Sequence, residues 1–218
     1  MDYKDVHYEL CGDGWTAYGA YDKDAYEIDI PDEIDGKPVV QIESSAFENM
    51  KNLEAVWIGK NVTIIEGSAF SSCPSLKSVE IMSPEIELDS YVFSSCENLK
   101  RFYAAGIVSL SSGVFFRCKK LEEFTGVIDM LYRNAFTYCQ SLKGSLKFAN
   151  EVYTFAGNAF KGDCGITDLY FAGSISSFGN TPLEDSKSLV FHCNEDSNIC
   201  ELAYEGYNVV IQGVSVWQ

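Results

Sequence analysis

A phenylalanine that follows a small residue returns at near-constant intervals along this chain, and that recurrence limits the possible fold more than any other feature. It stands at Phe47, Phe70, Phe93, Phe115, Phe136 and Phe160, in steps of 23, 23, 22, 21 and 24 residues, and Leu183 holds the same place in a seventh copy. Five further apolar columns keep step with it. Ile42, Ile65, Leu88, Leu110, Leu131, Phe155 and Phe178 lie five residues before. Val39, Val62, Ile107, Ile128, Val152 and Ile175 lie eight before, with Ile86 one place off. Leu53, Leu76, Leu99, Leu121, Leu142, Ile166 and Leu189 lie six after, and Val56, Val79, Phe102, Phe124 and Leu169 nine after. Met50, Cys73, Cys96, Cys118 and Cys139 form a column three residues after the phenylalanine.

A unit of this length is too short for two packed helices, which need about 33 residues, and suits one coil with a strand and a tight turn. Val56 and Ile58 alternate with period two, as do Val79 and Ile81, and Leu169 and Phe171, so each pair faces one side of a strand. Stacked coils then build a parallel sheet and one continuous core. The Ala-Phe-x-x-Cys segment is read as a helical or 3₁₀ turn. Leu146 and Phe148 come one place late in the fifth copy, and Phe191 and Cys193 one place early in the seventh, which predicts a local bulge or loop adjustment.

The ends differ from the repeats, because a solenoid exposes its core unless capped. Residues 7–36 read as an amino-terminal cap: a strand at His7–Leu10, a turn at Cys11–Gly14 and a strand at Trp15–Tyr21. About seven repeats fill 37–193. In 194–218, Asp196-Ser197-Asn198 supplies helix-capping residues before Ile199, Leu202 and Ala203 at helical spacing, Gly206 stops the helix, and Asn208–Ile211 reads as a closing strand. The chain is thus expected to form one domain over 1–218.

The motif Ile65-x-x-x-Ala69-Phe70-x-x-Cys73-x-x-Leu76-x-x-Val79-x-Ile81 resembles the leucine-rich repeats of the BspA and Treponema type. Ile30-Pro31, Asp35-Gly36-Lys37-Pro38-Val39 and Ala203-Tyr204-Glu205-Gly206-Tyr207-Asn208-Val209-Val210 extend the resemblance over roughly residues 8 to 212. It implies a right-handed leucine-rich-repeat solenoid with a β-rich first cap and an α/β second cap. It also implies a surface or secreted bacterial protein, an adhesin in several members. The pattern fails at Ser145, Asp163 and Ser186, where core residues are expected.

Chemistry finds little support. The formal net charge of −16 repels phosphate backbones and anionic membranes, leaving cationic or neutral partners. No apolar run spans a bilayer, and the start Met1-Asp2-Tyr3-Lys4-Asp5 lacks a leader pattern, so the chain is either cytoplasmic or has lost a leader. Of eight cysteines, four share the buried column; Cys193 and Cys200 can pair around the last turn or stay reduced. His192, Cys193 and Cys200 are too few for a zinc site, Asp22-Lys23-Asp24 lacks the rest of a calcium loop, and the sequon Asn61-Val62-Thr63 sits on a core residue. Neither metal nor cofactor is expected. No phosphate loop, nucleophile elbow or zinc-protease motif occurs, and His7 and His192 lie far apart in the chain.

Strand alternation instead predicts a surface. With Val56 and Ile58 inward, Trp57 faces out, and the same place in later coils gives Glu80, Tyr103, Thr125, Lys147, Tyr170 and His192, beside an outward column that includes Arg101. Seven strands about 4.8 Å apart span roughly 30 Å, enough for an extended peptide or protein segment. Trp57, Glu80, Arg101, Tyr103, Thr125, Tyr170 and His192 are the candidate partner surface of a monomeric protein-binding module. The alternatives are a structural spacer or intracellular scaffold with no dedicated ligand, and, least favoured, an enzyme.

Overall fold

The computed structural model describes residues 1–162, 164–177 and 188–211, a parallel β-solenoid of about seven turns. Asp163, Phe178, Leu183 and Ser186, singled out above, lie outside those residues. Each coil carries a strand, a corner, a second strand and a turn. The first ladder runs through Glu27–Ile30, Ala55–Ile58, Ser78–Ile81, the start of Arg101–Leu110 and Glu123–Leu131, then Lys143–Phe148, Gly165–Phe171, Val190–Cys193 and Asn208–Ile211. A second ladder joins Gly14–Ala20, Lys37–Ile42, Ile64–Ile65, Glu85–Leu88 and the second half of Arg101–Leu110.

The aligned phenylalanines form one stack between the ladders and the turns. Ring centroids are 5.0 Å apart for Phe47–Phe70, 5.5 Å for Phe70–Phe93, 5.7 Å for Phe93–Phe115, 5.4 Å for Phe115–Phe136 and 5.9 Å for Phe136–Phe160, with planes within 13° of parallel. Offset rings at such spacings attract beyond their buried area. Phe102 and Phe124 meet this stack edge-on from the first ladder. Among the described residues the inward columns named from the sequence are buried, except that Phe124 and Ile107 are half-buried; Val108, opposite Ile86, takes the core place expected of Ile107.

The turns differ from the helical reading. Among the described repeat turns only Gly157–Phe160 is a 3₁₀ helix; the others are tight turns flanked by left-handed residues. These are Ser45 and Asn49, Ser68 and Ser72, Tyr91 and Ser95, Gly113 and Arg117, and Asn134 and Tyr138. The flanking left-handed residues let alternate N–H groups point along the solenoid. Ser45, Phe47 and Asn49 donate to Gly67, Ala69 and Ser71 of the next coil, at 3.0, 2.8 and 2.9 Å. The N–H groups between them close the turn locally, Ala46 onto Glu43 and Glu48 onto Ser45. A helix would aim every N–H around the coil and leave neighbouring coils unjoined on this side.

The thiol column supplies a second cross-link. The thiols of Cys73, Cys96, Cys118 and Cys139 donate to the carbonyls of Phe47, Phe70, Phe93 and Phe115, at 3.2, 3.1, 3.1 and 3.1 Å. Burial pushes the Cys96, Cys118 and Cys139 thiols well up, so they stay protonated donors.

An irregularity falls where the fifth copy predicts one: the register of Lys143–Phe148 against Gly165–Phe171 shifts between Gly144 and Ser145, with Thr167 the extra residue on the facing strand. It turns Ser145 out to solvent and returns Leu146 and Phe148 to the core, which explains why a serine stands in that column. In the seventh copy Val190–Cys193 pairs with Gly165–Phe171 without a shift, so this strand carries no bulge.

The first hairpin, Val6–Cys11 against Gly14–Ala20, is antiparallel and covers the near end. Asp35 and Gly36 both adopt left-handed conformations and join Glu33–Ile34 to the start of Lys37–Ile42 by a two-residue turn. At the far end Ser197 caps a 3₁₀ helix, Asn198–Glu205, by accepting from the Ile199 N–H, and left-handed Gly206 closes it before Asn208–Ile211.

Two predictions follow from the stacking. Phe115→Ala removes a ring held between Phe93 and Phe136 and should cost about 4 kcal/mol in a urea melt. At the coil corner, a Cβ on Gly106 would collide with the Pro84 carbonyl of the preceding coil, so Gly106→Ala should lose about 2 kcal/mol, where an ordinary exposed Gly→Ala change is neutral or stabilising.

Candidate functional site

The outward row of the first ladder exists in two parts. Asp29, Trp57, Glu80, Tyr103 and Thr125 lie opposite one another in continuous register. Lys147, Tyr170, His192 and Val210 form a second continuous row. Lys147 pairs with Val127, not Thr125, so the two rows are offset by two residues. A cleft of about 190 Å³ lined by Phe124, Thr125, Gly126, Ser145, Leu146 and Lys147 marks the step. The single uninterrupted column expected from the sequence is therefore corrected: the four-residue step from Tyr103 to Ile107 lies against the two-residue step from Thr125 to Val127, and Lys147 joins the ladder at Val127.

Exposure separates the candidates further. Trp57 is 37% exposed and Tyr103 41%, and Glu80, Arg101 and Thr125 also face solvent. Tyr170 and His192 are half-buried, because their rings stack on each other at 4.2 Å with planes 8° apart. The reading of Tyr170 as an exposed anchor is corrected by that stack.

Two clefts sit on the first row. The larger, about 610 Å³, holds Trp57 with Glu27, Asp29, Asp32, Glu33 and Glu80 around it. Lys4 is the one basic residue lining it, and its ammonium bonds Asp29 at 2.5 Å; that hydrogen bond holds its pKa above the usual lysine value. Asp32 pairs with Lys60 at 3.3 Å. Glu27, Glu33 and Glu80 form no ion pair among the described residues. The next cleft, about 410 Å³, is lined by Glu80, Arg101, Phe102, Tyr103, Glu123 and Thr125. Along the sheet edge Lys77, Lys100, Arg101 and Lys120 line a third hollow of about 670 Å³ with Glu54, Glu122 and Glu123. The face is thus polarised, acidic around Trp57 and mixed beyond it.

In the second row Asp168 is the centre of a polar cluster. Its carboxylate accepts from the Thr167 hydroxyl at 2.6 Å and meets His192 Nε2 at 2.6 Å. The Thr167 hydroxyl, first, and His192 hold the Asp168 pKa below the usual carboxylate value. This is an orienting network, with the threonine hydroxyl turned to the carboxylate and not to the imidazole. The other histidine, His7, lies on the first hairpin near Asp2 and Glu9.

The zinc alternative does not assemble: His192 and Cys193 point to opposite faces of one strand, and among the described residues no three His, Cys, Asp or Glu side chains gather as metal ligands. Asp22 accepts from the Asp24 N–H, an ordinary loop-closing turn. Asn61 is held by its side chain on the Asp32 carbonyl, and Val62 is fully buried. No described helix is long and apolar enough to cross a membrane. Sequence reasoning missed the acidic wall of the Trp57 cleft, because Glu27, Asp29 and Glu33 belong to the expected cap and only stacking brings them beside Trp57.

Strand, corner, second strand and turn, repeated around a phenylalanine stack with a leucine in every coil, define a leucine-rich-repeat solenoid. The BspA type leucine rich repeat region, in six copies, matches residues 21–143 and 108–190, and the chain belongs to that family. Two solved structures show the same fold. A leucine-rich repeat protein from Bacteroides ovatus is 14% identical with a TM-score of 0.51, over 100% of this chain and 68% of its own. The leucine rich repeat protein of T. pallidum is 17% identical with a TM-score of 0.53, over 98% of this chain and 99% of its own. A leucine rich cell surface protein from Faecalibacterium prausnitzii is 18% identical with a TM-score of 0.47, over 88% of this chain and 75% of its own. No functionally curated protein matches the chain.

Asp168 gives a pH prediction. Its folded pKa is depressed, so its contribution to stability is complete above the ordinary carboxylate pKa of about 3.9 and disappears as pH falls through the folded value. Carboxyl NMR should show Asp168 titrating below the ordinary carboxylate value, and Thr167→Val should move it up.

Proposed function

We propose that this chain is a protein-binding or adhesion module that offers the first ladder's face to a protein or extended peptide, on a bacterial cell surface or secreted. The supporting observation is the row Trp57, Glu80, Tyr103 and Thr125, with Arg101 beside it, held in register on a rigid sheet and left uncovered. Exposed aromatics on a preordered surface gain contact area at small entropic cost. Tyr170 and His192 extend the surface in the second row. Membership of a family whose members are typically surface or secreted bacterial proteins supports the compartment.

The partner's chemistry follows from the Trp57 cleft. Unpaired Glu27, Glu33 and Glu80 around an indole face suit a lysine or arginine side chain, which gains carboxylate pairing and cation–π attraction together. The net charge of −16 favours the same class of partner and disfavours nucleic acid. The module acts as one domain over 1–218, with caps at 7–36 and 194–218 and about seven repeats between, works as a monomer, and is not an enzyme.

Fluorescence anisotropy with a labelled extended arginine-rich peptide tests this reading, beside a glutamate-rich peptide of equal length. The arginine peptide should bind, weaken with added salt, and lose at least about tenfold in affinity with Trp57→Ala or Glu80→Gln. Pulldown from a cell-surface extract with Trp57→Ala and Tyr103→Ala tests the face itself. Equal capture by wild type and both variants removes this surface from consideration.

A further inference from the structure

The eight cysteines are all free thiols, and they divide sharply by environment. The four in the repeat column are buried and committed to phenylalanine carbonyls. Cys164 is half-buried, and Cys11 is exposed on the first hairpin, with its sulfur 3.8 Å from the Tyr18 hydroxyl. The Cys73 and Cys96 thiols also lie close to each other, but both are buried in the core; at the C-terminal cap two sulfurs meet where one of them is reachable from solvent. Cys193 Sγ and Cys200 Sγ stand 3.3 Å apart.

That approach is set by other bonds. Asn194 donates to the Ala172 carbonyl at 3.0 Å, and Ser197 to the Gly173 carbonyl at 2.8 Å. The Asn198 side chain accepts from the Ile175 N–H at 3.0 Å and donates to the Ile175 carbonyl at 2.6 Å. Three side chains between the cysteines thus clamp this loop onto the preceding coil. Cys193 faces the core from strand Val190–Cys193, while Cys200 is half-exposed on the 3₁₀ helix. One thiol is reachable from solvent, and the other waits behind it.

We propose that Cys193 and Cys200 form a redox-active dithiol that closes to a disulfide on meeting a small-molecule disulfide of the glutathione type, clasping the cap helix to the last core strand. The Cys200 thiol gives up its proton and attacks one sulfur of the oxidant, expelling a thiolate that takes up a proton. Cys193 then loses its proton and attacks Cys200 Sγ, expelling the second thiolate. Two protein thiols are oxidised, one small disulfide is reduced to two thiols, and the atoms balance. Burial, and the hydrogen bond to Cys200, push the Cys193 thiol up to about 12, so closure is the slower step and quickens about tenfold per pH unit. Cys193 also lies opposite Ile211 in the ladder, so the clasp would tie the closing strand Asn208–Ile211 to the cap that precedes it. This inference is independent of which partner the sheet face binds.

The test uses the whole chain incubated with oxidised glutathione, then denatured and alkylated. Two of the eight thiols should be lost, and protein cleaved after Glu195 should release Cys193 and Cys200 on separate peptides only after reduction. Oxidation should raise Tm by about 5 °C and slow amide exchange in 208–211. Cys193→Ser should instead accumulate a glutathione adduct on Cys200, and Cys200→Ser should form neither bond nor adduct at this site. Retention of all eight thiols, a bond to any other cysteine, or an adduct on Cys200 in the unmutated chain that never resolves would overturn the proposal.

Discussion

No coil of this protein can shield its own apolar side, and every other feature answers to that constraint. A single winding of about two dozen residues has one layer of backbone and leaves its inner side chains open along the axis. The next winding closes them. The phenylalanine stack shows the scale: each interior ring touches a ring above and a ring below, and loss of one such side chain costs about 3–5 kcal/mol, a large share of the net stability of an ordinary domain. Because the interactions are between neighbours, the two ends must be covered by something other than a repeat. The antiparallel hairpin and the 3₁₀ cap meet that need by different means.

Backbone polarity imposes the second condition. Coils packed this closely bury peptide groups on all sides, and each needs a partner. On the two strand sides the parallel ladders provide it. On the turn side, alternate N–H groups are rotated onto the next coil by pairs of left-handed residues, among them Tyr91, Arg117 and Tyr138. Side chains of that bulk at positive φ are unfavourable in isolation, and the bonds between coils hold them there. The thiol column works in the same direction: a cysteine is small enough for the interior and can donate to a phenylalanine carbonyl that lies one coil back.

A stack built this way gives a surface whose spacing is fixed by the ladder and whose chemistry is free to vary. The inward positions of each strand are constrained by the core, and the outward ones are not. In the first coils that freedom places an indole among carboxylates; in the later coils it places a tyrosine and an imidazole face to face over an aspartate. The step between the two rows shows that the face is not a uniform lattice. One irregular strand pair is enough to shift the register, and a partner long enough to reach both rows would meet that offset.

The spacing of Phe47 to Phe160 and its companion columns determined the coil, the direction of stacking, the core and the outward row, because period and burial are properties that a linear pattern carries. Ser145, Leu146 and Phe148 even located the irregularity. The helical reading of the turns failed because Ala-Phe-x-x-Cys spacing is compatible with either a 3₁₀ turn or a left-handed one, and the choice depends on hydrogen-bond acceptors in another coil. Tertiary structure alone set Glu27 and Asp29 beside Trp57 and stacked Tyr170 on His192, and it decided that Cys193 and Cys200, which the sequence leaves open to pair or stay apart, come within reach of each other. Those are relations between residues of different coils, or of strand and cap, fixed by ladder register and cap docking, and no local pattern of side chains encodes them.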